Sequence, residues 1–228
     1  MAVGATAERT LTVEQARRFY DRMGSRQDWQ RFFEDPAVDV MLEAGDFNHA
    51  ASVLEFGCGT GRLAERLLSQ YLPENCRYLG IDLSPTMANL ARERLRPWAA
   101  RATVRLSDGS CMLVEPDLSV DRIVSTYVLD LLSREQIKLF LGEAFRVLAA
   151  NGLLCLVSLS HGQGMPHRLV SSIWSGIHRL SPWIVGGCRP IDLTEFLSSS
   201  QWQIKHSQLI RTIGITSHVV LASRRVTG

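Results

Sequence analysis

The chain has 228 residues, 46% apolar and 21% charged, with a formal net charge of +2. That length allows one α/β domain with a sizeable core, while so small and scattered a charge does not by itself imply binding to nucleic acid. No stretch reaches the roughly 18 consecutive apolar residues of a membrane span, and the cysteines (Cys58, Cys76, Cys111, Cys155 and Cys188) are odd in number without a CxxC pair, which suggests neither a disulfide framework nor a zinc site.

Residues Met1 to Arg9 lack the basic-then-apolar layout of a secretory signal, so a frayed tail and a reducing, cytoplasmic location are expected. Thr12 with Gln15 forms a capping box that predicts a helix to about Arg22, and Asp35-Pro36 predicts the start of another that runs to about Ala44. This region is rich in aromatics: Phe19, Tyr20, Trp29, Phe32 and Phe33. Val53 to Phe56 is an apolar strand that breaks into Gly57-Cys58-Gly59-Thr60-Gly61, and Arg62 to Leu68 has helical spacing. Arg77 to Ile81 is a second strand ending at Asp82, after which Ser84 and Pro85 supply an N-cap and a first helical residue. Thr103 to Leu106 is a third strand that stops before Asp108-Gly109, and Arg122 to Tyr127 is a fourth. Ser133 with Gln136 caps a helix over about 134–149 that Asn151-Gly152 ends, and Leu153 to Ser158 is a fifth, nearly all-apolar strand. Trp202 to Leu209 and Ile215 to Ala222 are joined too closely for a helical crossover, so they form a hairpin. Apolar strands alternating with helices describe a parallel sheet covered on both faces. The expected fold is therefore α/β, a three-layer Rossmann-like sandwich of seven strands, mostly parallel, with a C-terminal antiparallel hairpin and extra N-terminal helices.

The glycine turn carries the chemistry, because a strand end without side chains lets the backbone approach a ligand. The dinucleotide fingerprint requires a glycine where Arg62 stands, which disfavours an oxidoreductase, and a P-loop requires a lysine that the turn lacks. Glu55-Phe56-Gly57-Cys58-Gly59-Thr60-Gly61 instead resembles motif I of the class I S-adenosylmethionine-dependent methyltransferases. Arg146 to Leu154 is similar to that family's helix-to-strand turn. The resemblance covers residues 50–160 well and the flanks weakly.

The resemblance implies S-adenosyl-L-methionine as cofactor and S-adenosyl-L-homocysteine as product. It places Gly57, Cys58, Gly59 and Gly61 under the methionine portion, with Glu55 in contact directly or through water. Asp82, 21 residues after Gly61, would accept from the ribose hydroxyls, with Leu83 and Met87 beside the nucleoside. Asp108 and Gly109 would lie at the adenine, and Ser125 and Thr126 would flank the amino-acid end. Asp82 and Asp108 also fit plain turn sequences, Asp-Leu-Ser-Pro and Ser-Asp-Gly.

The methyl acceptor is read from the flanks. Relatives commonly carry a histidine pair after the fourth strand, where this chain has Leu129 and Asp130. Asp130 or Tyr127 is thus the expected group to orient or deprotonate the acceptor, with His161 and His167 as further candidates, and the competing reading has Asp130 merely facing the next helix. Residues 161–190 are expected to cover the acceptor, with Leu169, Val170, Ile173, Trp174, Ile177 and Leu180 on one helical stripe and Arg168, Arg179 or Arg189 free for an acidic group. Tyr20, Tyr127, His161, Trp174 and Arg189 make up the expected acceptor site. The chain lacks the Asn/Asp-Pro-Pro-Tyr/Phe run of amino-methylating nucleic-acid enzymes and the Asp and Asn metal ligands of catechol methylation, so no nucleic acid and no metal are expected.

The domain reading is one methyltransferase domain over 1–228: a helical cap (1–48), a cofactor core (49–160), an acceptor cover (161–190), then a helix and the closing hairpin (191–228). Its expected partner is a small apolar or aromatic acceptor, in a monomer or homodimer without a transmembrane segment. A catalytically silent cofactor-binding subunit is the alternative.

Overall fold

The computed structural model describes residues 10–161, 188–197, 201–212 and 214–225, without the side chains of residues 29–31. Seven strands form one sheet in the order β3-β2-β1-β4-β5-β7-β6: β1 (Ser52–Phe56), β2 (Arg77–Asp82), β3 (Ala102–Leu106), β4 (Val120–Thr126), β5 (Leu148–Leu159), β6 (Trp202–Thr212) and β7 (Ile215–Arg224). Strands β1 to β5 pair in parallel, whereas β7 runs antiparallel to both β5 and β6. The chain winds outward from β1 to β3, then returns to place β4 on the other side of β1. A crevice opens at that reversal, beyond the carboxyl ends of β1 and β4, where open α/β sheets hold ligands.

Strand parity builds two cores. Val53, Cys155, Val157, Val219 and Leu221 face α2 (Arg31–Ala44), α3 (Arg62–Arg66) and α4 (Pro85–Arg94), meeting Met41, Ala64 and Ala91. Their neighbours Leu54, Leu154, Leu156, Val220 and Ala222 face the other way, onto Ile137, Phe140 and Ala144 of α5 (Arg134–Val147). Each fully buried aliphatic side chain contributes about 1.5–3 kcal/mol, which explains why the central strands are apolar at consecutive positions.

The capping signals operate as expected. Thr12 and Gln15 close both halves of the box at α1 (Val13–Met23), Ser133 and Gln136 do so at α5, and the Ser84 hydroxyl accepts from Met87 N at the start of α4.

Three boundaries differ from expectation. Helix α2 starts at Arg31, so Pro36 lies inside it. A seven-residue 3-10 stretch over Gly24–Gln30 feeds directly into the helix and already fixes the preceding turns. Helix α5 ends at Val147, and Asn151-Gly152 lies within β5 as a bulge: Val120 pairs with Leu148, but Arg122 pairs with Leu153. Added bulk at Gly152 would meet Leu148 side-chain atoms at 2.8 Å, so the bulge requires a residue without a Cβ. The helix expected after residue 190 is a single 3-10 turn, Leu193–Glu195, among the described residues, its Asp192 cap accepting from Thr194 N. His167, Arg168, the apolar stripe from Leu169 to Leu180, Trp174 and Arg179 lie outside the described residues.

Candidate cofactor and transfer site

The glycine turn is fastened to β2. Gly57 N and Cys58 N both donate to Ile81 O, at 2.7 and 3.0 Å. Gly57 has φ +81°, and a Cβ there would overlap Val128 Cγ2; Gly61 has φ +77°, and a Cβ there would lie 3.0 Å from Ala91 Cα in α4. The two glycines thus serve different ends: the first lets the turn pass under Val128, and the third lets α3 approach α4.

Asp82 organises the next layer. Its two carboxylate oxygens accept from Gly59 N at 2.7 Å and Ser84 N at 2.8 Å, joining the glycine turn to the N-terminus of α4. Burial pushes Asp82 up, and the hydrogen bonds from Ser84, Gly59 and Leu83 oppose that push. Ser84 Oγ in turn donates to Asp21 of α1 at 2.5 Å, and Thr86 N donates to the same oxygen. Burial would raise Asp21, but these hydrogen bonds outweigh it and hold its carboxyl below the usual range.

Two cavities meet at the turn. The first, of about 150 Å³, is walled by Phe56, Asp82, Leu83, Met87, Gly109 and Cys111 and roofed by Leu11, Val13, Ala16 and Tyr20 of the N-terminal segment. The second, of about 80 Å³, is polar: Asp28, Glu34, Glu55, Cys58, Thr60, Arg62 and Arg66 line it. Gln27, Gly57, Gly59, Thr126 and Tyr127 line both, so the cavities adjoin at the turn.

Glu55 is buried beneath the second cavity and accepts from Tyr78 OH at 2.7 Å. Burial pushes its carboxyl up to about 8, against the hydrogen bond from Tyr78. Asp28 accepts from Thr60 Oγ1 and from Arg94, and Arg62 is paired with Asp35. Glu34 lies beside them with its carboxyl pushed up to about 7 by burial, a shift that Arg62 opposes and Asp130 and Asp35 reinforce.

The expected residues divide by where the structure puts them. Glu55, Gly57, Cys58, Gly59, Asp82, Leu83, Met87, Gly109, Tyr20 and Tyr127 line one or both cavities. Ser125 does not: strand parity turns its hydroxyl to Phe56 O at 3.0 Å, and Thr126 faces the cavities instead. Asp108 is exposed and accepts from Ser110 N at 2.8 Å, the turn-forming arrangement, while Ser107, Gly109 and Ser110 line the cavity on either side of it. Tyr127 has a left-handed backbone (φ +56°) that points its hydroxyl to Ser217 Oγ at 2.8 Å. Burial, only partly opposed by that hydrogen bond, raises its phenol far above the ordinary value. Asp130 is fully buried and lines neither cavity, with Leu159 N on one oxygen and no partner for the other among the described residues; burial pushes it up to about 7. His161 is exposed just beyond β5 and lines neither cavity. Arg189 is not held free for an acidic group, because it donates to Leu132 O at 2.5 Å and its backbone N donates to Asp130 O.

Sequence reasoning missed Asp21, Gln27, Asp28 and Glu34, all on the N-terminal elements. Polar residues recurring among the aromatics there were the only available signal.

A family profile described as a methyltransferase domain matches residues 53–152. A malonyl-acyl-carrier-protein O-methyltransferase from Marinomonas sp. (strain MWYL1) is 31% identical over 169 residues, 71% of this chain and 56% of that protein. A demethylmenaquinone methyltransferase from Tropheryma whipplei (strain Twist) is 34% identical over 122 residues, 54% of this chain and 46% of that protein. The chain thus spans about half the length of the curated relatives it matches. The structure of the 4+2 cyclase SpnF superposes with a TM-score of 0.73 at 16% identity, over 97% of this chain and 100% of that one. A geranyl diphosphate methyltransferase in complex with GPP and sinefungin gives 0.70 at 12% identity, over 94% and 99%. Such low identities speak for the fold alone. The matched profile, the relatives and the glycine turn bound to Asp82 agree: the chain carries a methyltransferase domain of the class I S-adenosylmethionine-dependent kind.

Proposed function

We propose that the protein transfers the methyl group of S-adenosylmethionine to a small, apolar or aromatic acceptor. The observation that carries this reading is the union at the glycine turn of an apolar cavity next to Asp82 with a polar cavity lined by acids and arginines. An adenosine with an amino-acid tail has that same sequence of chemistries. Asp82, Leu83 and Met87 would hold the nucleoside, with Gly109 beneath the base. The bare backbone of Gly57 and Gly59 would carry the tail toward Thr60, Asp28 and Arg62. Bound there, S-adenosylmethionine supplies a methyl group already activated by a positively charged sulfur.

What the chain adds is position and dryness. Alignment of two reactants can lower a barrier by on the order of 7–11 kcal/mol, and the N-terminal segment roofs the first cavity with Leu11, Val13, Ala16 and Tyr20. Leu131 and Leu132 extend the apolar wall, which favours an apolar acceptor. The Tropheryma relative is named for a quinone, which suits such a wall, whereas the Marinomonas relative is named for a malonyl group, whose carboxylate is polar. The same fold houses a cyclase, so fold by itself does not decide the reaction.

Calorimetric titration tests the reading. S-adenosylhomocysteine is expected to give saturable one-to-one heat, NAD none, and Asp82→Ala is expected to weaken S-adenosylhomocysteine by about tenfold or more, as loss of a charged hydrogen-bond partner does. Heat with NAD and none with S-adenosylhomocysteine would sink it. Mass spectrometry of methylated products from phenols, quinols and acyl thioesters would then identify the acceptor.

A further inference from the structure

We propose that Glu34 faces the methyl-transfer position from the polar cavity and takes the acceptor's proton, with Asp130 as a positioning residue near it. The inference rests on the methyltransferase reading above and narrows the acceptor to one whose nucleophilic atom bears a proton at neutral pH.

Glu34 comes from the first turn of α2 and lines the polar cavity together with Gly57, Thr126 and Tyr127, the residues that also line the nucleoside cavity. The junction of the two cavities is where a sulfur between nucleoside and amino-acid tail must lie. The charged residues around Glu34 are already engaged: Arg62 with Asp35, Arg66 with Asp39, and Asp28 with Thr60 and Arg94. No described residue donates a hydrogen bond to the Glu34 carboxylate, although the group is removed from solvent enough to be raised to about 7. An unpaired, half-buried carboxylate open to a cavity is costly for a fold to keep unless a ligand uses it.

Asp130 supplies a second buried carboxylate, with one oxygen unpartnered among the described residues. Its charge raises Glu34, Tyr127 and Tyr20, which line the cavities, while Asp130 itself lines neither. Two acids that repel each other in a dry site make one of them a better proton acceptor near neutrality. In the transfer the nucleophile's proton goes to Glu34 Oε. The methyl carbon passes from sulfur to the nucleophile, and the electrons of the broken carbon–sulfur bond stay on sulfur. Charge balances, because the cationic sulfonium becomes a neutral thioether as the carboxylate becomes a neutral acid.

The test needs no knowledge of the acceptor. Sinefungin carries a protonated amine where S-adenosylmethionine carries its methyl-bearing sulfur, and S-adenosylhomocysteine carries neither charge. By calorimetry the wild-type protein is expected to bind sinefungin about tenfold more tightly than S-adenosylhomocysteine. Glu34→Gln is expected to lose most of that preference with less than about threefold change for S-adenosylhomocysteine, and Glu34→Asp, which keeps the charge, to retain part of it. An undiminished preference in Glu34→Gln overturns the proposal, as does the absence of any preference in the wild-type protein. Equal weakening of both ligands overturns it too, because Glu34 would then hold the amino-acid tail. Failure of the wild-type protein to bind S-adenosylhomocysteine at all overturns the methyltransferase reading itself, which is a different result. Should Glu34→Gln fail to fold, Glu34→Asp and Asp130→Asn carry the comparison, the latter expected to reduce the preference partially.

Discussion

Replacing Gly57 with alanine adds a methyl group at the point where β1 turns under the cavity. The backbone there has φ +81°, a conformation that costs a residue with a Cβ about 1–2 kcal/mol. The new methyl would also overlap Val128 Cγ2, and forcing extra volume into a filled site costs about 1–3 kcal/mol. Gly57→Ala should therefore destabilise the protein by about 2–5 kcal/mol. Only the second part is a side-chain collision. Adding Val128→Ala should recover about 1–3 kcal/mol relative to the sum of the single changes, while the backbone cost stays. Gly61→Ala supplies the contrast, because its methyl would meet Ala91 Cα at 3.0 Å in α4, where no side-chain truncation makes room. Urea unfolding followed by far-ultraviolet circular dichroism, with midpoints compared at a common slope, measures all four variants. Strict additivity of Gly57→Ala and Val128→Ala would refute the overlap, and a Gly57→Ala protein as stable as the wild type would refute the whole argument.

Glu55 links stability to pH. Its carboxyl, raised by burial to about 8 in the fold from 4.5, binds a proton that the unfolded chain has released. The native state holds more protons across that window, so its contribution is complete below about 4.5 and is lost as pH rises through about 8. Glu34 and Asp130, each near 7, act in the same sense. The melting temperature of the ligand-free protein should fall between pH 6 and pH 8.5, by roughly these pKa positions, and fall less in Glu55→Gln; equal slopes would show that Glu55 ionises normally. Asp21 is the tie between α1 and α4, and α1 has no fully buried residue of its own. Asp21→Ala should speed amide hydrogen exchange in α1 by about tenfold or more while α5 is unaffected, as expected from losing hydrogen bonds to a charged group worth about 1.5–3 kcal/mol. Unchanged exchange would mean that the helix is held elsewhere.

The parallel core was legible because its determinants are local. Apolar runs, the Thr12, Ser84 and Ser133 caps and the glycine turn each act within a few residues, and the structure has them where the sequence put them. Pro36 misled because an N-terminal proline signal is equally compatible with a helix already begun, and Asn151-Gly152 because a bulge and a helix stop use the same residues. In the site, Asp82 could be placed from its strand end, but the choice between Ser125 and Thr126 depended on parity within β4, which a motif of neighbouring residues does not specify. Glu34 and Asp28 reach the glycine turn only through the docking of α2 and the 3-10 stretch before it, over more than twenty residues of chain, and no local pattern encodes that distance.

The strand order has a consequence for how the chain comes together. β7 lies between β5 and β6, and its Val219 to Ala222 are buried to 1% exposure or less. Until those residues emerge during synthesis, β5 presents an unpaired edge and two apolar faces, including Cys155 and Leu156. The cofactor crevice is assembled from residues 11–136, yet the edge beside it is closed last, by pairings such as Cys155 with Leu221 that span 66 residues. Contacts of that separation form slowly, and an open edge recruits other strands meanwhile. A nascent chain halted before β7 would thus carry most of its binding residues on a sheet exposed to aggregation, which makes the final hairpin the step that commits the molecule to solubility.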